Sequence, residues 1–200
     1  FAIATPAAQA LLNADGETPS VFTAVTDPVE AGLVESLDAP GGSMTGSTDA
    51  TDVEGQIDML LKVVPSAKTV GIFYNSSEVN SEVQADQAKQ ALEAKGVKVE
   101  VATVTSTNDV QQTMTSLAAK VDAIYLPTDN TVASTASTIG EILQEAKVPA
   151  MGSDAAVIDA TLFTYGVDYH AIGVQAGELA VTILKGDKPA DLPVEKPNTA

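Results

Sequence analysis

The 200-residue sequence predicts an α/β fold built on mainly parallel sheets, and three observations carry that expectation. Short β-branched runs alternate with stretches whose apolar residues recur every three or four positions. Apolar residues make up 44 % of the chain and are spread along it rather than gathered into one block. Capping and turn residues fall between the runs, at a strand–helix–strand spacing that suits right-handed βαβ units.

Taken in order, residues 1–4 read as a strand, a short helix starts from Pro6, residues 20–25 (SVFTAV) form a strand, and a helix follows from Asp27 to about Leu37. The opening Phe1-Ala2-Ile3-Ala4 reads as the middle of a strand, so a preceding segment is expected. Residues 38–52 (DAPGGSMTGSTDATD) break the pattern. There Gly41-Gly42 suits a turn and the residues from Met44 a crossing strand, and the segment is either an interlobe hinge or a plain surface loop. Strands are then expected at 69–75 (TVGIFYN), 98–104 (KVEVATV), 123–128 (AIYLPT), 149–152 and 162–168 (LFTYGVD). Four apolar stripes mark the helices between and after them: Val53, Ile57, Leu60, Leu61 and Val64; Val110, Met114, Leu117 and Ala118; Val132, Ala136, Ile139, Leu143 and Ala146; and Ile172, Ala176, Leu179 and Ile183. Thr51-x-x-Glu54 and Ser81-x-x-Gln84 have the form of capping boxes, and Asn108 sits where an N-cap is wanted. Gly96 and Gly186 follow Lys95 and Lys185 as helix stops. The tail, residues 188–200, reads as a connector with a short strand near 192–195.

Composition removes several function classes. The chain carries 27 acidic and 10 basic residues, all of the latter Lys, for a formal charge of −17. That charge repels phosphate backbones, so nucleic acid is not an expected partner. With no Cys and one His there is neither a disulfide framework nor a transition-metal site, and no metal or cofactor is expected. His170 sits at a helix start and lacks a serine–base constellation, which makes it a surface or capping residue and leaves no reactive centre; the chain reads as a non-enzyme. No stretch approaches the roughly 20 apolar residues of a membrane span, and the chain as given shows no signal peptide.

Ligands of open parallel sheets bind beyond the carboxyl ends of the strands, beside the following helix N-termini. Five such places carry hydroxyl, amide and carboxylate groups without Lys or His: Thr5-Pro6-Ala7-Ala8, Thr26-Asp27-Pro28, residues 75–81 (NSSEVNS), residues 127–131 (PTDNT) and Ser153-Asp154. Each set alone suits ordinary capping; five on one edge point to a cleft. Free N–H groups at a helix start hold a carboxylate, and an Asp holds an ammonium, so the pattern suits a small zwitterion such as an amino acid.

The runs AIATPAAQAL (2–11), VFTAVTDPVEAGLVESLDAPGG (21–42), YNSSEVNS (74–81), STNDVQQ (106–112), DAIYLPTDNTVAS (122–134) and GDKPADLP (186–193) resemble a family of ABC-transporter substrate-binding proteins. It is the one that includes the binding proteins of aromatic-amino-acid (tryptophan/tyrosine) importers. The resemblance implies a type I periplasmic-binding-protein fold, with two doubly wound parallel-sheet lobes that close on a ligand and lobe one incomplete in this chain. Residues 1–46 would be the second half of lobe one, 47–167 lobe two, and 168–200 the return helix and connector. It also implies ligand-binding roles for Thr5, Ala7, Thr26, Asp27, Asn75, Ser76, Ser77, Ser81, Thr128, Asp129, Asn130 and Asp154. Asp129 or Asp154 would take the ligand ammonium, the helix starts at Ala7 and Ser77 the carboxylate, and Phe73 or Tyr74 would face a ligand side chain. Expected with it are an extracytoplasmic location, periplasmic or lipid-anchored, and a membrane permease as partner. A sensory or regulatory ligand-binding module of the same fold is the alternative.

Overall fold

The β-branched runs become strands almost where the sequence places them. The structure, a computed structural model, describes residues 1–197. The chain forms two compact units, one of residues 1–51 with the described part of 167–200, the other of residues 52–166. The division thus follows Thr51 rather than Gly46, because a cut after Gly46 would sever the third strand.

In the first unit, β1 (Ala2–Ile3), β2 (Ser20–Val25) and β3 (Met44–Thr48) form a parallel sheet in chain order. Helix α1 (Thr5–Ala14) follows β1, and α7 (Tyr169–Leu184) packs across β2 and β3. Val21, Ala176 and Leu179 form the apolar contact, and Ile172 lies buried one turn earlier. A polar seam fixes the helix on the sheet: Ser47 Oγ donates to the Ile172 carbonyl (2.9 Å) and lies 2.8 Å from Thr23 Oγ1. The tail joins β3 through one parallel bridge, Ser47 with Glu195, in place of the short strand expected over 192–195.

The helix expected over residues 27–37 is absent. A single turn forms, with the Ala31 N–H on the Asp27 carbonyl, and then closes. Gly32 at φ 71° lets its N–H reach the Val29 carbonyl while Leu33 N–H reaches Pro28, the paired bonds that terminate helices. Apolar spacing continued past this stop, which is why periodicity alone overran it.

In the second unit, β4 (Thr69–Asn75), β5 (Lys98–Val104), β6 (Ala123–Leu126), β7 (Ala150–Gly152) and β8 (Phe163–Thr164) form a parallel sheet ordered β5-β4-β6-β7-β8. Side chains alternate across it. Val70, Ile72, Tyr74, Ala123 and Tyr125 pack with α2 (Val53–Val63) and α3 (Val79–Ala94) on one face. Phe73, Ile124 and Leu126 pack with α4 (Val110–Ala118) and α6 (Ala136–Ala146) on the other. Phe73 and Tyr74 are therefore both core residues. The strand expected over 162–168 is only two residues long, because β7, its neighbour, ends at Gly152 and offers no further partner.

Local punctuation differs in detail. Asp52, not Thr51, caps α2, accepting from the Gly55 N–H. Ser81 and Gln84 lie inside α3, which begins at Val79, and Asn108 sits in a 3-10 turn (Thr107–Asp109) without capping α4. The third apolar stripe is broken at Thr135 into α5 (Asn130–Ser134) and α6, and its last member, Ala146, is exposed. The Lys95-Gly96 and Lys185-Gly186 stops are as expected, with both glycines at positive φ. Among the described residues no helix is long and apolar enough to cross a membrane.

Asp122 pins the entry of β4, accepting from Lys68 N–H (2.8 Å) and Thr69 N–H (2.9 Å). The bonds from Thr69 and then Lys68 hold its carboxyl below the usual carboxylate range. A carboxyl lowered on folding stabilises above its unfolded pKa and loses that contribution as pH falls through its folded one. Asp122→Ala is thus expected to lower the melting temperature at pH 7. The gap to the parent chain should close as calorimetric scans are taken to acid below the carboxylate range.

Candidate functional site

Sheet order reverses at β4 and β6. From β4 the chain crosses by α3 to β5 on one side, and from β6 by α5 and α6 to β7 on the other. The carboxyl ends of those strands flank the crevice where open α/β sheets bind ligands. Here the structure gathers Asn75, Ser77, Ser81, Thr128, Asp129, Asn130 and Asp154.

Asp129 is the centre of the assembly. It caps α5 by accepting from Val132 N–H on Oδ1 (2.8 Å), and its Oδ2 accepts from Asn75 N–H (2.7 Å). It is 1 % exposed, and burial raises its carboxyl above the usual range although those N–H bonds oppose the shift. Glu78, also buried, covers the rest of the α5 start. Its Oε2 accepts from the Asn130 N–H (3.0 Å) and Nδ2 (2.6 Å), and its Oε1 from the Thr131 N–H and Oγ1 (both 3.1 Å). Asn75 links the two loops, donating from Nδ2 to Thr131 Oγ1 (2.8 Å) and accepting from Ser77 N–H (2.8 Å). The Ser77 N–H is thus engaged, and α3 starts two residues later. Ser76 is exposed, with its N–H on the Val104 carbonyl.

A second layer holds Thr128. Gln84 Oε1 accepts from its N–H (2.7 Å), while Asn80 Nδ2 (2.9 Å) and Ser81 Oγ (3.2 Å) donate to its carbonyl. These contacts fix the orientation of both amides. They leave Gln84 Nε2 and Asn80 Oδ1 buried and without a hydrogen-bond partner among the described residues. The Thr128 hydroxyl lies 2.9 Å from Ser153 Oγ, which joins this layer to Asp154. Asp154 is 3 % exposed and caps the 3-10 segment Ala155–Ala160, accepting from Ala156 N–H on Oδ1 (2.6 Å). Burial raises its carboxyl, the Ala156 N–H opposes, and the charge of Asp129 adds to the rise.

The first unit brings Thr5, Ala7, Thr26 and Asp27 to the ends of β1 and β2. Thr5 is buried and Ala7 exposed in the first turn of α1, which has no side-chain cap. Ala4, before it, has φ 72° and ψ 158°, a conformation costing on the order of 1–3 kcal/mol for a residue with a side chain. Ala24 also has positive φ (55°), at the irregularity of the β2–β3 register. Thr26 is buried, its carbonyl accepting from Thr48 Oγ1, and Asp27 caps the following turn through Val29 and Glu30 N–H. His170 is exposed, its N–H on the Asp168 cap of α7.

Sequence reading placed Glu78, Asn80 and Ser153 in its polar sets and Gln84 in a capping box, and gave none of the four a ligand-binding role. A polar stripe at positions 80, 81 and 84 of a helix, where apolar residues are normally buried, was the available signal. A cavity of about 620 Å³ opens elsewhere in this unit, between α6 and residues 159–162 beside the start of β7, and contains none of the expected residues.

The family model described as ABC transporter substrate binding protein matches residues 1–200. A curated tyrosine-binding protein of Clostridioides difficile (strain R20291) is 38 % identical over 195 residues, 97 % of this chain and 56 % of its own length. This chain therefore spans little more than half of that relative. A crystal structure of an ABC domain in complex with L-Trp from Streptococcus pneumonia aligns with TM-score 0.92 and 40 % identity, covering 99 % of this chain and 68 % of the other. A conserved domain protein from Vibrio cholerae aligns with TM-score 0.94 and 37 % identity, covering 97 % and 66 %. The fold is type I periplasmic-binding-protein-like, and the chain belongs to the ABC transporter substrate-binding protein family.

Proposed function

We propose that this chain is the ligand-binding part of an extracytoplasmic solute-binding protein. It would capture a small zwitterion, an amino acid and foremost an aromatic one, between two lobes and deliver it to the permease of an ABC importer. Residues 1–51 and 167–200 would belong to lobe one, and 52–166 would be lobe two. The observation that carries this reading is the buried polar assembly at the switch point of the second unit, built around Thr128, Asp129 and Asp154. The names of the relatives support the ligand class, one being tyrosine-binding and another solved with L-Trp.

Roles divide by what each group already holds. Both oxygens of Asp129 are engaged with backbone N–H groups, so the ligand ammonium falls to Asp154, whose Oδ2 accepts no hydrogen bond among the described residues. The uncapped first turn of α1, at Thr5 and Ala7, takes the carboxylate. Thr26, Asp27, Asn75, Ser76, Ser77, Ser81, Thr128 and Asn130 shape the edges. The protein acts by binding alone, without catalysis or cofactor.

A thermal-shift screen of the full-length protein against the common amino acids tests this. L-tryptophan or L-tyrosine at 100 times its Kd should stabilise by about 2.7 kcal/mol. Unchanged melting with every amino acid would overturn the reading.

A further inference from the structure

The polar edge of the second unit holds three carboxylates, Glu78, Asp129 and Asp154, each nine-tenths or more buried. Glu78 is satisfied by four donors and Asp129 by two backbone N–H groups. Asp154 has one donor, Ala156 N–H, on one oxygen. No cation answers it. The ion pairs among the described residues are Lys95 with Asp58 and Lys98 with Glu100, both outside this edge. The titratable groups whose electrostatics reach Asp154 are the Asp129 carboxyl, from the loop after β6, and the Tyr125 phenol of β6, which donates to Gln56 Oε1. Beside them Gln84 Nε2 and Asn80 Oδ1 are buried without partners among the described residues, so this edge is polar and incompletely satisfied.

An unpaired buried carboxylate is unfavourable in its charged form. Two positive species can relieve it: a ligand ammonium, or a proton. We propose that ligand ammonium and solvent protons compete for Asp154, so that capture weakens as the solution is acidified. This rests on the amino-acid reading above. The sign follows from the geometry. Burial and the Asp129 charge favour the protonated form in the empty site, so the proton is taken up at a higher pH than by an ordinary Asp. The ligand's amine stays charged across that range, so acid removes only the protein's half of the pair. Affinity falls with pH, and one proton is taken up for each ligand released.

Calorimetric titration of the full-length protein with L-tryptophan and L-tyrosine between pH 7.5 and 4.5, with circular dichroism confirming the fold at each pH, tests the proposal. Below the carboxyl's pKa the affinity should fall by about tenfold per pH unit, the signature of one competing proton. Asp154→Asn keeps an oxygen for the Ala156 N–H and cannot titrate. It should bind weakly at pH 7.5, and its affinity should be flat with pH. Binding by the parent chain that does not change over the range, while the protein stays folded, would overturn the proton competition and leave the amino-acid reading standing. An Asp154→Asn profile as steep as the parent's would do the same. If neither amino acid binds at pH 7.5, the reading beneath the proposal fails and the proposal with it.

Discussion

Asp129→Ala is expected to destabilise the fold by about 3–5 kcal/mol, because it removes the cap of α5 and leaves the Asn75 and Val132 N–H groups buried without acceptors. Each orphaned buried donor costs about 1–3 kcal/mol. Native domains are stable by only about 5–15 kcal/mol, so the loss is a large share of the total. In a chain of this size the melting temperature should fall by about 10 °C. Asp129→Asn retains one acceptor oxygen but turns an N–H toward a backbone donor, so it should fall between the two. The acid limb distinguishes Asp129 from Asp122. The Asp129 carboxyl is raised on folding, so the native state gains relative stability as pH falls through that raised value, the reverse of Asp122. A scanning-calorimetry series over pH measures both. A melting temperature unchanged in Asp129→Ala would show that the two loops are held by something else.

Gly46→Ala should be comparably severe, at about 3 kcal/mol or more. Gly46 lies opposite Phe22 in the β2–β3 ladder, and a Cβ there would overlap the Phe22 carbonyl oxygen and ring. Overpacking ordinarily costs about 1–3 kcal/mol when side chains can move aside. Here the obstacle is backbone within a parallel ladder, and the Gly46 carbonyl also accepts from Glu195 N–H, so relief means separating strands. Gly42→Ala supplies the control: no atom lies within 4 Å of the added carbon, and its effect should stay within about 0.5 kcal/mol. Urea midpoints of the two variants measure the contrast. Equal midpoints would mean the strands yield more easily than the ladder implies.

Strands β2, β4 and β5 were legible to the residue, because each is rich in β-branched or aromatic residues and lies between turn or polar residues. The helix over 27–37 was not, since a stop made by backbone bonds at Gly32 leaves no trace in apolar spacing. Ser81 and Gln84 looked like a capping box, and their true partners are the Thr128 peptide groups, 47 and 44 residues away. Glu78 was equally hidden, because its partners lie 52 and 53 residues on. Polar residues at strand tips can be read from one sequence. Which of them satisfy one another, and which remain for a ligand, depends on distances only the folded chain sets.

The placement of Glu78 has one more consequence. Helix starts attract oxyanions, and in this second unit the start at Asn130 and Thr131 is filled by the protein's own side chain. Phosphate and sulfate find that seat taken. Their exclusion needs no gate: the chain carries its own counter-anion, bound at effectively unlimited concentration.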